Sequence, residues 1–126
     1  MRKQSSSSVR IFYPEFDREQ LLERLKPRIE ELEGELPLLL VVLFGSYARG
    51  NYTVASDVDL LVVYRGRERK DAFATVKKVL GLSRLEPHVY SEDEYKGVKR
   101  WVRRVSGDGI VLFARDGFEP TERRPY

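Results

Sequence analysis

Two runs with no charged residue, Leu38 to Phe44 and Leu60 to Tyr64, bracket one short polar stretch, and this leaves few folds open. Neither run alternates apolar with polar residues. A strand covered on one face alternates and a strand covered on both does not, so each run reads as an interior strand with packing on both sides. The connection between them begins Gly45-Ser46 and closes on Asp57-Val58-Asp59. Positions two apart on a strand point to the same face, so Asp57 and Asp59 project together as the chain enters the second strand. Two carboxylates held that close repel unless something positive sits between them. A divalent cation is the natural occupant, and hard oxygen ligands suit magnesium.

The rest of the chain supplies layers for those strands. Residues 1 to 9 are polar and serine-rich and read as a disordered arm, residues 10 to 118 as a single domain, and residues 119 to 126 as a loose tail. Leu21, Leu22, Leu25, Ile29 and Leu32 form one helical stripe from Asp17 to about Leu32, in which Pro27 predicts a kink or two abutting pieces. Gly34 and Pro37 end it. Residues 45 to 56 read as a loop with room for one short helix, and Val58 to Tyr64 as the second strand. A helix near 68 to 81 should turn Ala72, Phe73, Val76, Val79 and Leu80 inward and stop at Gly81. Leu85 to Tyr90 reads as a short third strand whose Pro87 suits a sheet edge. Ser91-Glu92-Asp93-Glu94 is a capping box opening a helix that buries Tyr95, Val98, Val102 and Val105 and ends at Gly107. Ile110 to Ala114 is a last strand, followed by a turn at Arg115-Asp116-Gly117. This order implies an α/β fold, a small mixed sheet with helices packed against it.

Length and composition narrow the class. At 126 residues, with 41% hydrophobic and 34% charged residues, the expectation is one soluble domain with one modest core. No apolar run approaches the ~20 residues that cross a bilayer, and the start lacks the apolar stretch of a secretory signal. The chain has no cysteine, hence no disulfide framework or thiolate metal site, and a cytoplasmic location is the expectation. A net charge of +3 is too small to argue for nucleic-acid binding. Scarce Cys, Met, Asn and Gln beside abundant charge suggest a thermophilic source.

Gly-Ser, ten residues, then Asp-x-Asp is similar to the signature of the DNA-polymerase-β-like nucleotidyltransferase superfamily. The fuller wording, Gly45-Ser46-Tyr47-Ala48-Arg49-Gly50 and then Ser56-Asp57-Val58-Asp59-Leu60, resembles its minimal nucleotidyltransferase branch. The resemblance implies a nucleotidyltransferase-like core, with Gly45 and Ser46 on the nucleotide triphosphate and Asp57 and Asp59 on metal. It also implies a third acid from a later strand, for which Glu86 is the candidate inside the third strand. Two magnesium ions about 3.5–4 Å apart would serve such a reaction. Each residue has a blander role open to it. Asp57 and Asp59 could form a strand-entry turn, Gly45 a tight turn, and Ser46 a helix cap. Arg49 could neutralise phosphate charge or pair with an acid, and Glu86 could be an exposed edge carboxylate.

By the same resemblance the reaction is transfer of a nucleoside monophosphate, AMP from ATP, to a hydroxyl. Minimal members of the family act beside HEPN-domain proteins, some as antitoxins that adenylylate the toxin. The chain is too short for the extra substrate-binding domain of larger relatives, so a partner protein is expected to supply the acceptor, and homo- or hetero-oligomers are open. The alternative is a module of this fold that acts by stoichiometric association with nucleotide or partner, without transfer. A two-metal nuclease would have no need of the Gly-Ser element. His88 is the only histidine, which excludes a Ser-His-Asp triad or a multi-histidine zinc site. Lys96, Lys99, Arg100, Arg103 and Arg104 on one helix read first as a solvated face, and Trp101 among them as a core or interface residue.

Overall fold

The computed structural model describes residues 16–118. The chain forms α1 (Arg18–Glu33), β1 (Leu38–Phe44), α2 (Ser46–Arg49), β2 (Val58–Tyr64), α3 (Ala72–Leu80), β3 (Leu85–Ser91), α4 (Glu92–Asp108) and β4 (Ile110–Ala114). The strands make one four-stranded sheet in the order β3-β2-β1-β4. β1 runs antiparallel to β2 and β4, whereas β2 and β3 run parallel. The fold is therefore the small mixed α/β sheet the element order implied, with the apolar β1 and the largely apolar β2 at its centre.

Those strands are buried on both faces because helices cover both. Leu21, Leu25, Ile29 and Leu32 of α1, with Ala72, Val76 and Leu80 of α3, pack on one face against Leu38, Val41 and Leu43 of β1 and Leu60, Val62 and Tyr64 of β2. On the other face Tyr95, Val102 and Val105 of α4 cover Leu40, Val42, Leu61 and Val63. β3 takes the edge that Pro87 suits, since a proline has no N–H to give an outer neighbour.

Several expectations need correction. α1 continues through Pro27 as one helix. Pro27 and Glu23 are both exposed, so water can take the Glu23 carbonyl that the proline cannot bond. α3 begins at Ala72, later than the expected 68, because the backbone N–H of Arg69 donates to the Tyr64 hydroxyl at 2.7 Å and holds the preceding turn. Phe73 is half exposed, not inward. α4 does carry the Ser91–Glu94 capping box, but it runs past Gly107 to Asp108 and is interrupted at Val98, next to Gly97. Among the described residues no helix is long and apolar enough to cross a membrane. The arm at 1–9 and the tail at 119–126 lie outside the described residues.

Candidate active site

The polar connection between β1 and β2 is held from behind. Tyr47 is buried, stacks on Tyr52 with ring centroids 4.3 Å apart, and donates its hydroxyl to the Phe16 carbonyl at 3.0 Å. The Arg18 guanidinium donates to the Ala48 carbonyl at 2.7 Å and the Tyr47 carbonyl at 3.3 Å, while its backbone N–H donates to the Tyr52 hydroxyl at 3.0 Å. Further along, the Thr53 N–H donates to Ser56 Oγ at 2.8 Å and the Ser56 N–H returns to the Thr53 carbonyl at 3.0 Å. Each end of the connection is thus set before the strand resumes.

Gly45 joins the two ends of the motif. Its φ of 77° and ψ of −153° lie in a region that side chains rarely adopt, and a Cβ there would collide with Asp59 Oδ2. The missing side chain is the space in which the Asp59 carboxylate stands. Gly45 rather than Ser46 is the residue before the first turn of α2, and no side chain caps that helix. The cap role open to Ser46 is therefore not the one it plays.

Asp59 lies opposite Phe44 across the β1–β2 ladder and beside Glu86 across the β2–β3 ladder. Its carboxyl is held above the ordinary carboxylate range. Burial is the largest cause, and the charges of Asp57 and Glu86 add to it, while His88 pulls the other way. His88 Nε2 stands 3.8 Å from Asp59 Oδ1, and Arg84 Nη1 stands 3.8 Å from Asp57 Oδ1. The His88 ring sits 5.1 Å from Phe44 and 5.8 Å from Trp101, which itself meets Phe44 edge-on at 5.7 Å. Arg49 and Arg104 line a small pocket with Gly45 and Phe44.

Asp57, Asp59, Gly45 and Ser46 thus share one end of the sheet, with Glu86 on the neighbouring strand and Arg49 at the end of α2. The donor set suits a hard cation: magnesium is usually bound through one or two carboxylates, with phosphates and water completing its shell. The space Gly45 leaves beside Asp59 agrees with that use. Among the described residues no three His, Asp or Glu side chains close up to the separation of one ion's ligands. His88 and Arg104 are site neighbours that reading the sequence did not single out. A two-residue step from Glu86 already puts His88 on the same strand face, whereas nothing in the sequence separates Arg104 from the other cations of α4.

Comparison with known proteins agrees with this fold. The family model for the nucleotidyltransferase domain matches residues 12–111. A crystallographically solved Sulfolobus solfataricus protein, provisionally named a nucleotidyltransferase, superposes with a TM-score of 0.59 at 28% identity, over 80% of this chain and 86% of that one. The minimal nucleotidyltransferase antitoxin solved in complex with a tri-AMPylated HEPN toxin of Shewanella oneidensis shares the fold, with a TM-score of 0.51 at 20% identity over 75% and 73% of the two chains. A Methanocaldococcus jannaschii protein, provisionally named a protein adenylyltransferase, is 65% identical over 23 residues, which are 18% of this chain and 23% of that relative. The match therefore spans less than a quarter of that relative's length. With the family model covering most of its length and a solved nucleotidyltransferase sharing its architecture, the chain belongs to the nucleotidyltransferase domain family.

Proposed function

We propose that this nucleotidyltransferase moves AMP from ATP, with magnesium, to a hydroxyl on a partner protein, and that the partner is a HEPN-domain protein in a toxin–antitoxin pair. The observation that carries the chemistry is the approach of Gly45 to the Asp59 carboxylate, which brings the Gly-Ser turn against one acid of the Asp-x-Asp motif and supports a joint role for the two. The likeness to an antitoxin solved with an AMPylated HEPN toxin supports the choice of acceptor.

In this reading Asp57 and Asp59 hold the cation, with Glu86 contributing from β3 when nucleotide is bound. One or two such ions supply charge stabilisation for the attacking and leaving oxygens of an in-line displacement. Gly45 lets the backbone approach the triphosphate closely, and the Ser46 hydroxyl lies at the same turn. The acceptor oxygen bonds to the α-phosphorus, the bond to the bridging oxygen breaks, pyrophosphate departs, and the hydroxyl proton passes to water. Arg49 stands where it can offset phosphate charge.

The test is intact-mass measurement of the co-purified partner after incubation with ATP and magnesium. The expected result is a gain of one or more AMP units, absent with Asp59→Asn. Association with the partner without any gain in mass would instead support the stoichiometric binding module.

A further inference from the structure

Beside Gly45 lies a pocket of about 110 Å³ lined by Phe44, Gly45, Arg49, Arg104, Val105 and Asp108. It is well below the ~300 Å³ at which pockets begin to enclose whole small ligands, so it suits a compact group and not a nucleobase with its sugar. Its chemistry is cationic on two sides. Arg49 comes from the end of α2 and Arg104 from the fourth turn of α4, and both line the pocket with Gly45. Among the described residues the ion pairs include Arg69–Asp71, Arg84–Asp57, His88–Asp59 and Arg115–Glu33, and neither lining arginine belongs to one of these. Asp108, one helical turn from Arg104, is the only acid on the wall, and it pairs with neither. Two arginines on one small pocket bring like charges near each other, a repulsion that an anion bound between them relieves. Phosphate is the anion for which their flat forked donors are shaped.

Building on the nucleotidyl-transfer reading, we infer that Arg104 and Arg49 together take the terminal phosphates of the nucleotide, and the pyrophosphate that leaves, in the pocket beside Gly45. Arg104 is then a specificity residue that tells a triphosphate from a monophosphate. The assignment separates it from Lys96, Lys99 and Arg100, which share α4 but do not line this pocket.

Calorimetric titration of the protein with ATP, AMP and pyrophosphate in the presence of magnesium, comparing wild type, Arg104→Ala and Arg104→Lys, tests this. Arg104→Ala should weaken ATP and pyrophosphate about tenfold or more, the scale of one lost charge-assisted contact, and leave AMP within about twofold. Arg104→Lys should recover part of the loss. Arg104 is exposed, so the fold should survive, and a melting curve checks it. Unchanged ATP and pyrophosphate affinity in Arg104→Ala overturns the inference, as does an equal loss for AMP. Wild-type protein that binds pyrophosphate through Arg104 but transfers no AMP leaves this site standing and removes the transfer reading. Transfer that continues while Arg104→Ala binds ATP normally removes only the site.

Discussion

On the α1/α3 face of the sheet, Val58, Leu60, Val62 and Tyr64 of β2 all disappear under apolar side chains. On the α4 face the same strand presents Asp59, Leu61 and Val63, and only the last two are covered. The difference arises because two helices seal the first face along its length, whereas α4 crosses the second and leaves the start of β2 open. A closed face admits no carboxylate, since an unpaired charge there would be lost to desolvation. The half-covered end of the α4 face instead raises the Asp59 pKa and brings His88, Phe44 and Trp101 beside it. One strand thus serves as core on alternate residues and as site on the others.

Neutralising the acids should break that contrast most visibly. Asp57→Asn with Asp59→Asn is expected to reduce AMP transfer by at least about a hundredfold, the scale of removing one electrostatic group from a transfer site. Folding should be unimpaired, as judged by radiolabel transfer beside a thermal melt. One residue along, the opposite result is expected. Leu60→Ala removes a fully buried side chain from the closed face and should cost about 2–5 kcal/mol in urea unfolding, whereas Asp59→Ala should not.

Gly45→Ala tests the place where backbone and site meet. Its backbone conformation should cost about 1–3 kcal/mol, and activity should fall further than stability because the added Cβ displaces the Asp59 carboxylate. Transfer that tracks stability alone would show the close approach to be structural. Ser46→Ala should change stability by no more than about 0.5 kcal/mol, the usual range for a surface site, since no side chain caps α2. ATP affinity measured by calorimetry should nonetheless weaken several-fold.

The smallest effect expected is on the pH dependence of stability without metal. The Asp59 pKa is raised in the fold above its ordinary 3.8, so the folded state binds that proton more tightly than the unfolded chain. The corresponding stability is present below 3.8 and is lost as pH rises through the folded value. Asp59→Asn should therefore melt slightly higher than wild type at neutral pH, by ~1–3 °C, with the gap closing toward pH 3.

Different parts of the molecule were legible to different degrees. Leu38–Phe44 and Val58–Tyr64 are legible as strands with their observed bounds because short, mostly apolar runs bounded by turn residues have few alternatives. The capping box at Ser91 marked the start of α4 because it is a local hydrogen-bonding pattern. The start of α3 and the end of α4 differ from the expected bounds. One depends on the Arg69 N–H reaching the Tyr64 hydroxyl, and the other on how the helix meets β4. That α1 runs through Pro27 as one helix is not legible in the sequence, because the exposure of the turn around it decides whether a lost hydrogen bond matters.

Within the candidate site, the two-residue spacing of Asp57 and Asp59 is what predicts a shared face, and their occurrence with Gly45-Ser46 marks the family. Those features are local in the chain, and strand periodicity propagates them faithfully. Sequence could not show that Gly45 stands against the Asp59 carboxylate, that Glu86 falls beside Asp59, that the one histidine approaches it, or that Arg104 alone among the α4 cations lines the pocket at Gly45. Each of those neighbours comes from a different element, brought in by the register of β2 with β3 and the packing of α4. Register and packing follow from the closure of the whole core, and no single segment carries the information that sets them.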